Sequence, residues 1–92
     1  MAIDGDFLER LGKQLGDHGH WPQVYMFKFI MPDNNRNYAI LRSIFSELSK
    51  FTVRHSSKGK YMSVTIREMM MDPAEVIERY KKASIIEDII AL

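Results

Sequence analysis

A chain of 92 residues, 46% hydrophobic and 27% charged, suits one soluble globular domain and leaves no room for a second core. The absence of cysteine excludes disulfides, thiolate catalysis and Cys-based metal sites, and it fits a reducing, cytoplasmic setting. Net charge is only +1, but residues 1–20 hold four acids against two cations, whereas Lys50–Arg67 holds five cations and no acid.

Ile3–Leu15 lacks the apolar core of a secretory leader, and no run approaches the roughly 20 residues that span a bilayer, so no membrane partner is expected. Residues 1–20 read as an N-terminal appendage. Phe7, Leu8, Leu11 and Leu15 share one helical face, which suggests a short helix over Asp6–Leu15, weakened by Gly12 and Gly16. Asp17-His18-Gly19-His20 then reads as a loop. Residues 21–92 form the domain.

Gln23–Met31 is a first strand of aromatic and β-branched types, near-continuously apolar and hence central. Tyr25, Phe27, Phe29 and Met31 form its core row, and Val24, Met26, Lys28 and Ile30 face the other way. Pro32-Asp33-Asn34-Asn35 ends it. Tyr38, Leu41, Ile44, Phe45 and Leu48 recur at helical spacing, so a helix is expected over Asn37–Ser49, capped by Asn35 or Asn37.

Phe51–His55 reads as a second strand. Ser56-Ser57-Lys58-Gly59 is a hairpin turn in which Gly59 supplies a positive φ, and a third strand runs from Lys60 to Met70. In it Met62, Val64 and Ile66 alternate with Tyr61, Ser63, Thr65 and Arg67, the pattern of a strand buried on one side only. Met69-Met70-Met71 reads as packing material at the strand end. Asp72-Pro73 starts a second helix over 73–83, with an acidic cap, Pro in the first turn, and Val76, Ile77 and Tyr80 inward. Asp88–Leu92 closes the chain as a strand whose core residue is Ile90.

The order β-α-β-β-α-β is the split pattern of a ferredoxin-like α+β sandwich. Two helices are expected on one face of a four-stranded antiparallel sheet of order 4-1-3-2, with the other face open.

Trp21-Pro22 leading into Tyr25-Met26-Phe27-Lys28-Phe29, the run Ser56-Ser57-Lys58-Gly59-Lys60-Tyr61-Met62-Ser63-Val64-Thr65, and the closing Val76-Ile77-Glu78-Arg79-Tyr80 and Ile89-Ile90-Ala91-Leu92 together resemble the YbeD-like family of small bacterial domains of unknown function. The resemblance covers about residues 21–92. That family is similar in architecture to ACT regulatory domains, and a role in sensing a small metabolite, connected with lipoate metabolism, has been suggested for it. The resemblance implies no reaction and no catalytic residue. Where ACT domains have a Gly-rich loop after the first strand, this chain has Pro32-Asp33-Asn34-Asn35.

The open face should carry Lys28, Thr52, Arg54, Tyr61, Ser63, Thr65 and Arg67, with Ser56, Ser57, Lys58 and Lys60 at the adjoining turn. Cations beside hydroxyls bind carboxylate or phosphate through charge-assisted hydrogen bonds, so Lys28, Arg54, Ser56, Ser57, Lys58, Lys60, Tyr61, Ser63 and Arg67 are the candidate ligand-binding residues. The plainer account is a hydrated sheet face and a soluble hairpin. Asp17, His18, His20 and His55 lack the spacing of a metal site. His55 beside Ser56 and Ser57 has no strand-turn-helix elbow and no orienting carboxylate, so enzyme activity and a cofactor are not expected.

The expectation is a non-enzymatic regulatory or binding domain, either a sensor of a small anionic metabolite or a protein-docking module. The alternative is weak, salt-sensitive nucleic-acid binding through Lys28, Arg54, Lys58, Lys60 and Arg67. Base stacking is not expected, because Tyr61 is the only aromatic on the outward row of the third strand. A weak homodimer is expected through the closing strand's edge or through Phe7, Leu8, Leu11 and Leu15; the other reading has the N-terminal segment fold back on its own domain.

Overall fold

Two ten-residue strands form the spine of the protein, whose computed structural model describes residues 1–17 and 19–92. β1 (Gln23–Pro32) pairs antiparallel along its whole length with β3 (Tyr61–Met70), so Phe27 lies opposite Ile66, Phe29 opposite Val64 and Met31 opposite Met62. All six are buried, and they make the floor of the core. β2 (Lys50–His55) adds to the far edge of β3, and the short β4 (Ile90–Ala91) pairs with β1 at Ile30 and Phe29. The antiparallel sheet therefore runs β2-β3-β1-β4, which counted from the β4 edge is 4-1-3-2.

Among the described residues three helices, rather than two, cover the buried face: α1 (Gly5–Asp17), α2 (Asn35–Ile44) and α3 (Pro73–Ala83). α2 contributes Leu41 and α3 contributes Val76, Tyr80 and Ala83 to the core, where Phe27 meets the rings of Phe45 and Tyr80. The arrangement is α+β and compatible with a ferredoxin-like sandwich extended by one helix. α1 docks beside α3: Phe7 sets its ring edge-on to Tyr80 with centroids 5.3 Å apart, and Leu8, Leu11 and Leu15 pack half-buried on the core. Gly12 faces α3 at this contact, where a Cβ would meet Ile77 Cδ1 at an ordinary 4.0 Å. The apolar stripe expected to meet a second copy is thus seated on its own domain.

The chain before α1 also covers the outer side of β4. Met1 and Ala91 exchange backbone hydrogen bonds of 2.9 and 2.8 Å, and Ala2 bridges Ile90. The β4 edge on which dimer pairing was expected is occupied at this point by the protein's own residues.

α3 begins as its sequence dictates, with the Asp72 carboxylate accepting from the Glu75 N–H at 2.9 Å. α2 differs from expectation at both ends. Its cap is Asn34, which accepts from the Asn37 N–H at 2.7 Å, and it ends at Ile44 instead of Ser49. Phe45 turns extended to bury its ring, and the Ser46 and Ser49 side chains bond to the local backbone, an alternative to continued helix. Leu48, expected in the core, is consequently 96% exposed.

A second correction lies in β4. Asp88 adopts a left-handed φ of 64°, a conformation Asp tolerates better than most residues, and the register that follows buries Ile89 and Ala91. Ile90, expected inside, points to the open side, because a one-residue slip exchanges the faces of a strand. Of the three methionines at the end of β3 only Met70 is packing material; Met69 and Met71 are exposed.

Candidate functional site

The face of the sheet away from the helices carries four cations: Lys28 on β1, Lys50 and Arg54 on β2, and Arg67 on β3. Strand register sets their spacing. Lys50 stands directly opposite Arg67, Arg54 opposite Ser63, and Lys28 and Thr52 flank Thr65 from its two sides. Alternation leaves no acid on this face, since Glu68 points to the helix layer and all the other acids lie off the sheet strands. Among the described residues none of the four cations is in an ion pair. Like charges placed directly across an antiparallel pair destabilise it, so Lys50 opposite Arg67 is a cost the fold carries.

The candidate residues divide into two groups. Lys28, Arg54, Tyr61, Ser63 and Arg67 share the open face, as read from the sequence. Ser56, Ser57, Lys58 and Lys60 sit at the β2–β3 turn, near the end of that face. Ser56 is occupied in building the turn: its hydroxyl accepts from the Tyr61 N–H at 3.1 Å, its N–H donates to the Tyr61 carbonyl at 2.8 Å, and its carbonyl accepts from Gly59 at 3.0 Å. Gly59 has the expected positive φ, +70°. His55 points to the helix side and pairs through Nδ1 with the Asp33 carboxylate, an orienting carboxylate the sequence did not reveal, away from the four open-face cations. Among the described residues no three His, Asp or Glu side chains gather as a metal set; His18 lies outside them.

Sequence reading passed over the apolar half of this surface. Val24 and Met69 are cross-strand partners, Met26 is the partner of Arg67, and all three are about half exposed. The signal was present, since Val24 and Met26 share the parity of Lys28 and read as facing away from the core row, but only polar and charged side chains were taken as candidates. Near them a groove of about 480 Å³ opens at the sheet end, lined by Val24, Leu48, Arg67, Met69, Glu68 and Arg79. Its inner wall is a partly buried charge cluster: Glu68 lies 3.5 Å from Arg79 and accepts from the Ser46 N–H at 2.7 Å, and Arg79 lies 3.6 Å from Glu75. Glu68 thereby ties the α2–β2 turn to α3.

The titration shifts belong to the framework. Burial, reinforced by the Tyr25 hydroxyl 3.2 Å away, pushes the Tyr80 phenol far above its ordinary range. A hydrogen bond from Lys82 and its charge hold the Glu78 carboxyl below its usual value. Neither group faces the open surface. Among the described residues no helix is long and apolar enough to cross a membrane. In comparisons with known proteins the chain matches no family model, no curated protein and no solved structure.

Proposed function

We propose that this is a non-enzymatic, ferredoxin-like binding domain that takes an anionic partner on the open face of its sheet. The observation that carries the reading is the set Lys28, Lys50, Arg54 and Arg67 on one face without an acid, two of them held in like-charge opposition. A surface kept charged at a cost to stability is what a site for a negative partner requires. The YbeD-like, ACT-like resemblance agrees with a regulatory role.

Protein docking has more support than metabolite sensing. Small-molecule sites are concave, whereas Lys28, Lys50 and Arg54 stand on the strand surface and only Arg67 of the four borders the groove, with half-exposed Val24, Met26 and Met69 among them. Apolar anchors ringed by charge suit a protein surface. Nucleic acid has less support, because Tyr61 is the only aromatic ring that the paired strands place on this face.

The test is thermal melting at low ionic strength with poly-glutamate, a single-stranded oligonucleotide and a panel of small carboxylates, nucleotides and acyl conjugates. Poly-glutamate should raise Tm, and the Lys50→Glu/Arg54→Glu/Arg67→Glu variant should lose the effect. A larger response to the oligonucleotide would move the assignment to nucleic acid, and a response confined to one small anion would move it to metabolite sensing. Silence from all of them would overturn it.

A further inference from the structure

β1 has a free edge, and the hydrogen bonds around it show which backbone groups point there. Leu92 donates to the Lys28 carbonyl at 2.9 Å on the β4 side, while Asp33 donates to the Lys60 carbonyl at 2.9 Å on the β3 side. Backbone groups alternate sides along a strand, so even-numbered residues of β1 turn their N–H and C=O toward β4 and odd-numbered residues turn theirs toward β3. β4 reaches only Ile30 and Phe29, extended by Leu92 to Lys28. Val24 and Met26 therefore present two N–H and two C=O groups outward, and among the described residues nothing bonds to them. The two residues are 56% and 51% exposed, and Gln23–Phe27 contains no charge and no proline. Proteins usually blunt such an edge with charge, proline or a covering segment; among the described residues no strand pairs with this one.

The space beside that edge has the shape of a missing strand's seat. Below it, on the helix side, lies a groove of about 510 Å³ lined by Leu11, Gln14, Leu15, Gly19, Gln23 and Tyr25, all uncharged. Above it, on the open side, the charged neighbours are cations: Lys28 follows on the same strand, and Arg67 stands across from Met26. A strand laid along this edge would send alternate side chains into the uncharged groove and the others to the basic face.

We propose that the outer edge of β1 at Val24–Met26 takes up an extended segment of a partner protein, alternately apolar and acidic, as an added strand. Backbone bonds to Val24 and Met26 supply adhesion, the groove selects apolar side chains at one parity, and Lys28 and Arg67 select Asp or Glu at the other. The acidic half of this specificity rests on the reading of the open face as a seat for an anionic partner; the strand addition does not.

The probe is an acetylated, amidated octapeptide alternating Val and Glu, titrated at low ionic strength. The protein's single tryptophan, Trp21, stands beside the edge with its indole N–H donating to the Leu15 carbonyl at 3.4 Å, and its fluorescence follows binding. Amide exchange by NMR reads the site. In the free protein the Val24 and Met26 amides should exchange freely while those of Tyr25 and Phe27, bonded to β3, are protected. Saturating peptide should slow Val24 and Met26 at least tenfold. Met26→Pro removes only an outward N–H, so the ladder to β3 stays whole and affinity should fall tenfold or more. The same peptide N-methylated at its β1-facing residues should fail on the unmodified protein. No binding, equal binding of the N-methylated peptide, or binding that leaves the Val24 and Met26 amides unchanged would overturn the proposal. A Val–Gln peptide that protects those amides as well as Val–Glu would uphold the added strand and overturn its acidic preference, with the open-face reading.

Discussion

Lys50→Glu is expected to make the protein more stable and a poorer binder at once. Lys50 and Arg67 are cross-strand partners on the open face, both exposed and without an acid on that face. Two unit charges about 6 Å apart in water repel by about 0.7 kcal/mol. Reversing one sign replaces that repulsion with an attraction of like size, and side-chain entropy and screening reduce the total to about 0.5–1 kcal/mol. For a domain of this length that is a rise in Tm of about 2–8 °C. Circular-dichroism melting at low salt should show the rise, and most of it should vanish near 1 M salt, where the Debye length is about 3 Å. Affinity for poly-glutamate should fall in parallel. A variant that is no more stable than the parent at low salt, or whose gain ignores salt, would refute the electrostatic argument. A stabilised variant that binds poly-glutamate undiminished would show that the like-charge pair has no part in binding.

Three further outcomes test the framework. Burial holds the Tyr80 phenol neutral far above its ordinary pKa, so below about pH 10 both folded and unfolded forms are protonated and the group adds no pH dependence. Above that the unfolded chain ionises first, and stability should fall by up to about 1.4 kcal/mol per pH unit; Tyr80→Phe should flatten the slope in urea unfolding between pH 9 and 11, and an unchanged slope would contradict the assignment. Gly59→Ala meets open space but a φ of +70°, so it should cost about 1–2 kcal/mol of backbone strain, most of it recovered by Gly59→Asn in the same unfolding assay. Phe7→Ala removes the ring that holds α1 on Tyr80, and it should cost about 1.5–3 kcal/mol and free the α1 amides to exchange ahead of those in β1; uniform exchange of both would mean that α1 is not docked separately.

What the chain determines by itself is what depends on near neighbours. The alternation of Met62, Val64 and Ile66 with Ser63, Thr65 and Arg67 sets which face of β3 is buried, and Asp72-Pro73 places the start of α3 at the residue observed. Lys28, Arg54, Tyr61, Ser63 and Arg67 were legible as one face because strand parity is a local property. Tertiary structure decided whatever turned on competition between distant groups. Leu48 fits a helical stripe, but burial of Phe45 and the bond from the Ser46 N–H to Glu68, 22 residues away, end the helix first. Ile90 gave way to Ile89 and Ala91 because a left-handed residue at Asp88 reset the parity of a two-residue strand. The bare edge of β1 could not be read from β1 at all, since an apolar strand looks central whether or not a neighbour covers it. How far β4 reaches along β1 is settled only when the sheet assembles, and that reach leaves Val24 and Met26 without a partner strand.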